Sequence, residues 1–330
     1  MRIAVSGSVA TDHLMTFPGK FADQLLPDQL DKVSLSFLVG SLDVRRGGVA
    51  ANIAYGLGGF GLAPVLVASV GDDFAEYRVW LKEHGVDTDV VHVSATRQTA
   101  RFLCLTDREL NQIAAFYPGA MSEARDIAVQ RVVDHAGRLD LVFVAPNDPE
   151  AMLRHTAECR AAGIPFAADP SQQLASLDGE QTARLVDGAR WLFTNEYEAS
   201  LLLERTGRRR EDVLRQVGTW VTTLGADGVR IDREGAETLT VPAVPVTDAA
   251  DPTGAGDAFR AGFLAATGRG LSPAASARLG CALATTALRT TGPQEYEVRP
   301  DRLLADITTV YGPAAARPFG DWLGDPGARS

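Results

Sequence analysis

The chain has 330 residues, with 32 basic against 42 acidic side chains, so its formal charge is 32 − 42 = −10 with histidine neutral. That sign speaks against a nucleic-acid or anionic-membrane partner. With 45% hydrophobic and 22% charged residues the chain is not of disordered type, and its length suits about two domains or one large α/β unit carrying an insertion. Cys104, Cys159 and Cys281 are odd in number and far apart, which disfavours a disulfide framework or a cysteine zinc site. Together with an apolar MRIAVSGSV start in place of a signal peptide, this sets the expectation of a reduced, cytoplasmic compartment.

In chain order, a buried strand is expected over 2–9. Residues 13–47, holding KVSLSFLVGSLDV, read as a hairpin. A small-residue helix near 49–58, a turn at Gly58–Pro64 and a Val-rich strand near 65–70 follow. The uncharged stretch Gly47–Gly71 is long enough for a membrane span, but seven glycines, Asn52 and Pro64 interrupt it. Next come a helix over 73–84 and a second hairpin over 98–118, holding TARFLCLTD and QIAAFY. Strands near 139–145, 165–168, 190–194, 219–223 and 229–231 are interleaved with helices over 149–162, 178–187 and 196–205. Helices over 254–267 and 273–289 come last, before a loose Gly/Pro/Ala-rich tail from Gly312. The pattern predicts an α/β fold with a mostly parallel sheet between helical layers. The two hairpins are expected to meet as a small β lid (13–47 and 98–118) over the crevice of a core made of 1–12, 48–97 and 119–330.

The run Asp251-Pro-Thr-Gly-Ala-Gly-Asp257 precedes the helical AFRAGFLAAT. Small residues Gly254, Ala255 and Gly256 let backbone N–H groups face outward at a helix start, where they attract phosphate oxygens and stabilise charge developing in phosphoryl transfer. Asp257 projects from the first turn, within reach of an attacking hydroxyl's proton. Taken alone, the run is equally a Gly-rich helix start with an ordinary first-turn Asp. Three further runs fall where a parallel strand ends or a helix begins: Gly47-Gly48-Val-Ala-Ala-Asn52, Asn195-Glu-Tyr-Glu198 and Thr223-Leu-Gly225-Ala-Asp-Gly228. Two other signals fail on context. The GxGxxG match at Gly56–Gly61 ends a helix rather than opening one, and none of the lysines (Lys20, Lys32, Lys82) lies in a P-loop pattern.

Together the DPTGAGD, GG…N, NxxE and TLGxxG runs resemble, in order and over residues 1–310, the ribokinase-like (PfkB) carbohydrate and nucleoside kinases. SGSVATDHLM, VSLSFLV, TARF, FYPGAMSEAR, NDPEAM and AADPSQQLA are similar more particularly to that family's small bacterial adenosine kinases. The resemblance implies a ribokinase-like αβα sandwich and phosphorylation of adenosine at its 5′-hydroxyl with ATP and Mg²⁺, giving AMP and ADP in purine salvage. It implies that Asp257 is the base and that Gly254, Ala255 and Gly256 stabilise the phosphoryl group. Asp12 and Asn52 would hold the ribose hydroxyls, with Gly48 allowing close approach and Ser8 and Ser36 nearby. Phe102 and Phe116 would sandwich the purine, and Gln172 and Gln173 would meet the substrate from the crevice floor. Asn195, Thr223, Gly225, Gly228 and Gly256 would surround ATP, and Glu198 would stand beside magnesium through water. Asp251 and Thr253 lie where several relatives bind a monovalent cation, so potassium activation is a further expectation. Val49 replaces the Lys that ribokinases commonly carry there, which favours a nucleoside over free ribose. Plainer readings stand beside these: Asp12 as a cap, the Phe pair as lid core, the Gln pair as solvated loop, Glu198 as a surface helix residue. At the level of function, the alternatives are a kinase for another nucleoside or a furanose sugar, and a non-catalytic nucleoside-binding regulator on the same fold. An exposed lid sheet also suggests a homodimer through the lid.

Overall fold

A computed structural model describes residues 1–24, 32 and 34–323. Residues 25–31 and 33 of the first expected hairpin and 324–330 of the expected tail lie outside the described set. The main sheet has eight strands, and the apolar runs supply them: β1 (Ile3–Ser6), β4 (Val65–Val67), β9 (Leu141–Val144), β10 (Phe166–Ala168), β11 (Trp191–Asn195), β12 (Trp220–Thr223), β13 (Val229–Asp232) and β14 (Leu239–Val241). Their spatial order is β14-β13-β12-β11-β10-β9-β1-β4, parallel from β12 to β4 and antiparallel only across β12-β13-β14.

Strand alternation sorts the core into two layers. Ile3, Val5, Leu141, Phe143, Trp191 and Phe193 face one cluster, packed under α1 (Val49–Gly59), α8 (Ala255–Gly268) and α9 (Pro273–Leu288). Ala4, Val142, Val144 and Leu192 face the other, under α3 (Val129–Ala136), α4 (Pro149–Ala162), α5 (Gly179–Val186) and α6 (Glu196–Thr206). Phe193 meets Phe263 edge to face with centroids 5.4 Å apart, and truncating either would cost about 3–5 kcal/mol. Among the described residues no helix is long and apolar enough to cross a membrane.

The lid sheet has four strands in the order β3-β2-β7-β8: β2 (Ala10–Thr16), β3 (Ser41–Gly47), β7 (Ala100–Thr106) and β8 (Gln112–Tyr117). Four expectations need correction. The expected strand 2–9 is only β1, because the chain leaves the main sheet at Gly7–Ser8 and enters the lid as β2. Asp12 is therefore a lid-strand residue and not the end of the first core strand. The VSLSFLV run is not a strand over its described residues; SLDVRRG is the strand, and Phe37 instead packs edge-on against Phe17 and Phe21. The segment 65–70 divides into β4 and β5 (Ser69–Val70), the latter pairing with β6 (His92–Val93). The loose tail holds a helix, α11 (Pro313–Leu323), which follows α10 (Pro300–Tyr311) and carries Phe319 into the core. The last short helices are α2 (Ala75–Glu83) and α7 (Arg210–Leu214).

Candidate active site

The crevice lies beyond the carboxyl ends of the parallel strands, where such sheets bind ligands. At its floor α8 begins at Gly254, which has φ +79° and receives no side-chain cap. A Cβ there would stand 2.4 Å from the Pro293 Cβ, so glycine is required both by the backbone and by the close approach of the 291–294 loop. The first-turn N–H groups and the helix dipole suit an anion.

Asp257 sits in that first turn. Its carboxylate accepts a 2.8 Å hydrogen bond from Asn52 Nδ2 in α1. Burial pushes its pKa up to about 7; the Asn52 bond and the Arg260 guanidinium oppose this, and Asp169 and Asp12 add to it. Asn52 is itself buried and oriented, since Gln294 Nε2 donates to its Oδ1 at 2.8 Å. The helix carrying Asn52 starts from Gly48, whose φ of +94° and 2.6 Å approach to the Val9–Ala10 backbone exclude a side chain. Ser8 caps that helix: its Oγ accepts from Val49 N at 3.1 Å.

Asp12 projects from β2 on the face it shares with its cross-strand neighbours. The register places Arg45 (β3), Asp12 (β2), Phe102 (β7) and Phe116 (β8) in one row across the lid sheet. Directly opposite residues point to the same face. Phe102 and Phe116 thus stand side by side on one face of the lid sheet, a placement that differs from the two opposed plates of a sandwich. Burial raises the Asp12 pKa to about 6, with Arg45 opposing and Asp251 adding. The acid also explains Gly47, where a Cβ would stand 2.6 Å from Asp12 Oδ2.

A second group of residues meets along the neighbouring strand ends. Asn195 and Thr223 pair across β11 and β12. Asn195 and Glu198 form a reciprocal capping box at the start of α6, with Asn195 Oδ1 accepting from Glu198 N and Glu198 Oε2 accepting from Asn195 N, both at 2.7 Å. The single hydroxyl hydrogen of Ser171 lies between two acceptors, Glu198 Oε1 at 3.2 Å and the exposed Gln172 Oε1 at 2.7 Å from Oγ, so Gln172 stands beside Glu198. Gly225 and Gly228 bound a short 3₁₀ turn after β12; Gly228 is fixed by contact with β14, where a Cβ would come 2.1 Å from Val241 O. The donor set at Glu198 suits a hydrated magnesium ion: a half-buried carboxylate whose oxygens each retain an acceptor position, near enough for its charge to act on Asp169 and Arg260.

Several expected residues have other duties. Gln173 donates from Nε2 to Asn147 O at 2.7 Å and ties the loop after β10 to that after β9. Ser36 is exposed, next to the Phe17–Phe21–Phe37 cluster, and among the described residues no hydrogen bond joins it to Asp12 or Asn52. The Asp251 carboxylate accepts from Thr253 N at 2.9 Å, Gly292 N at 3.1 Å and Arg45 at 3.1 Å, so its charge is met by a guanidinium from the lid.

The motifs do not single out the pair under the site. Asp169, following β10, and Arg260, one turn along α8 from Gly256, are both buried and ion-paired at 2.5 Å and 2.8 Å. Arg260 also donates to Gly256 O at 3.0 Å. Burial pushes Asp169 up to about 6 against the pull of Arg260; burial likewise opposes the Arg260 charge, but Asp169 and then Asp257 hold it above its ordinary value. A lone Arg in the otherwise apolar AFRAGFLAA is the signal that would have found it, because a charge on a core helix face needs a buried partner. A raised carboxylate held beside an anion-binding helix start can accept a proton from a hydroxyl as that oxygen attacks a phosphoryl group.

A family model described as "pfkB family carbohydrate kinase" matches residues 8–299. The nucleoside kinase of Methanothermobacter thermautotrophicus is 31% identical over 273 residues, covering 81% of this chain and 86% of that protein. The Burkholderia thailandensis nucleoside kinase in complex with inosine is similar in structure, with a TM-score of 0.82 at 32% identity, covering 94% of this chain and 98% of that one. Its complex with ADP-inosine gives a TM-score of 0.80 at 33% identity over 94% of this chain and 96% of that one. With its eight-stranded sheet, its lid and its DPTGAGD helix start, the chain has the ribokinase-like fold and belongs to the pfkB family of carbohydrate kinases.

Proposed function

We propose that the protein is an ATP-dependent nucleoside kinase acting on the 5′-hydroxyl of a purine nucleoside, with adenosine as the substrate in a purine-salvage role. One observation carries the reading: the lid row that places a carboxylate, Asp12, next to two aromatic rings, Phe102 and Phe116. A carboxylate accepts from both hydroxyls of a vicinal diol, and a ring platform offers a base about 1–3 kcal/mol of stacking. A free sugar has no use for the rings. Inosine is the second reading, favoured by the solved complex of the B. thailandensis relative.

In this mechanism the lid row and Asn52 hold the ribose so that its 5′-hydroxyl meets Asp257 Oδ1 or Oδ2. Asp257 takes the proton as the oxygen attacks the γ-phosphoryl group. The Gly254–Asp257 backbone N–H groups stabilise the charge that develops, and the closed lid excludes water. Asn195, Thr223, Gly225 and Gly228 flank the nucleotide. Glu198 would hold magnesium through water, and the ion would supply charge neutralisation on the phosphates. The lid's other face exposes Leu42, Val44, Leu103, Ile113 and Tyr117, and a second copy is its proposed cover, to be checked by sedimentation.

The test is a coupled ADP-release assay with adenosine, inosine, cytidine, uridine, ribose and fructose. The expected result is the highest kcat/KM for a purine nucleoside. Ribose or fructose as the best acceptor overturns the substrate, and nucleoside binding without ADP release overturns the enzyme. Phe102→Ala and Phe116→Ala should each lower kcat/KM for adenosine by about 1–3 kcal/mol in ΔΔG‡ while sparing residual turnover of ribose. Thermal midpoints measured in parallel separate lost stacking from lost folding. Folded variants that keep their adenosine-over-ribose ratio sink the stacking role.

A further inference from the structure

We propose that Gln294 is a positioning residue: by fixing the sense of the Asn52 side-chain amide, it makes Asn52 present N–H rather than C=O to the Asp257 carboxylate. The argument begins at Trp80 in α2, because an indole N–H can only donate. Trp80 Nε1 donates to Gln294 Oε1 at 3.1 Å, which fixes the sense of the Gln294 amide. The two hydrogens of Gln294 Nε2 then go to Asn52 Oδ1 at 2.8 Å and to the Tyr77 hydroxyl oxygen. Tyr77 in turn donates to Gly47 O at 2.9 Å, at the end of lid strand β3. With Asn52 Oδ1 engaged, Nδ2 must face Asp257, as it does at 2.8 Å.

Each bond in the chain has a single polarity, set by two ends that cannot reverse, the Trp80 indole N–H that only donates and the Gly47 carbonyl that only accepts. Gln294 is 1% exposed and hydrogen-bonds Trp80, Asn52 and Tyr77 but not Asp257, so its hold on the carboxylate passes through Asn52. Were Asn52 to turn over, its carbonyl would oppose the carboxylate and disfavour the ionised, proton-accepting form. The groups that face Asp257 are Asn52 from α1, Arg260 from α8, Asp169 after β10, Asp12 from β2, Tyr77 from α2 and Tyr296 from the loop after α9. Among them only Asn52 donates a hydrogen bond to Asp257 among the described residues, so its orientation has the most direct hold on the proton.

The role presupposes that Asp257 is the base proposed above, and the experiment separates the two ideas. Gln294→Met removes the polar end at similar volume and adds no charge. Two quantities are read in the full chain: the pH midpoint of the Asp257 carboxyl by ¹³C NMR without ligands, and the acid limb of kcat/KM for the best nucleoside. Both should move up by about half a pH unit or more, since a carboxylate loses a donor. KM for MgATP should stay within about twofold. In an Asn52→Ala background Gln294→Met should move neither midpoint. An unmoved carboxyl midpoint, or an equal shift without Asn52, overturns the positioning role. A shifted carboxyl midpoint with an unmoved acid limb leaves the positioning intact and overturns Asp257 as the base. If Gln294→Met does not fold, Trp80→Phe decides the matter: it keeps an aromatic ring beside Tyr55 while removing the N–H together with the second ring of the indole, and an upward shift of both midpoints is again expected, with no shift overturning the proposal.

Discussion

Asp257→Asn is expected to lower kcat by at least about 10²-fold, and by as much as about 10⁴-fold, while nucleoside binding stays within a few fold. The amide keeps the shape of the carboxylate and can still accept the Asn52 hydrogen bond, but it cannot take a proton from a hydroxyl at neutral pH. Retention of more than about a tenth of wild-type kcat would contradict a base role, because a general base contributes more than that. The same variant carries a stability signature of opposite sign. Burial raises the Asp257 pKa from 3.8 to about 7 in the folded protein. Between these values the folded state holds a proton that the unfolded chain has released, so this group's contribution to stability is greatest below about pH 4 and declines until about pH 7. Asparagine abolishes that decline. The variant should therefore be more stable than wild type at pH 8, by on the order of 2–4 kcal/mol, and the gain should shrink towards pH 4. Denaturation at the two pH values measures it. A variant that is inactive and less stable at pH 8 would mean that Asp257 is a structural acid; one that is inactive and more stable is what a strained catalytic carboxylate predicts.

Much of this site was legible because its chemistry is written in short runs. DPTGAGD places an anion-binding helix start and an acid within seven residues, and the structure puts Asp257 in the first turn of α8. GGVAAN places Gly48 and Asn52 at one helix start, where the backbone needs the glycine. What stayed hidden is whatever depends on partners distant in sequence. Gln294 meets Asn52 across 242 positions and Asp169 meets Arg260 across 91, and no local pattern records either pairing. The split of the first strand at Gly7–Ser8 was hidden for another reason: the apolar run MRIAVSGSV continues through the point where the chain changes sheets, since the linking residues Gly7, Ser8 and Val9 are themselves buried. The VSLSFLV run misleads in the opposite way. It has the apolar content of a strand, but Phe37 is spent on an aromatic cluster and the solvated SLDVRRG forms the edge strand, where charge is what an exposed edge requires. Helix α10 did leave a mark in the sequence, with Pro300 at its first position and Leu303 and Ile307 four residues apart on its buried face. Pro318 and the small residues around it obscure α11.

Arg260→Met should be the most destabilising substitution at the site, at about 3–5 kcal/mol in chemical denaturation at pH 7. Arg260 is 7% and Asp169 1% exposed, so removing the guanidinium leaves a carboxylate in the core with no cation beside it. It also frees Gly256 O and removes the cation 5.8 Å from the Phe193 ring centre. The loss belongs to the stranded acid and not to a large net worth of the ion pair, because two buried charges spend most of their attraction on desolvation. The double variant Arg260→Met with Asp169→Leu should therefore regain most of the stability. Activity should not return with it. Arg260 is one of the two groups that hold the Asp257 pKa down, so without it the acid limb of kcat/KM should move to higher pH, further in the single variant than in the double, where loss of Asp169 removes part of the upward pull. Arg260→Lys keeps a charge but loses the planar fork that spans Asp169 and Gly256 O, and should fall between wild type and Met on both measures. A stable double variant with a wild-type acid limb would confine Arg260 to a structural role; a stable double variant with a displaced limb would show that the buried pair is kept for the proton on Asp257 and not for the fold.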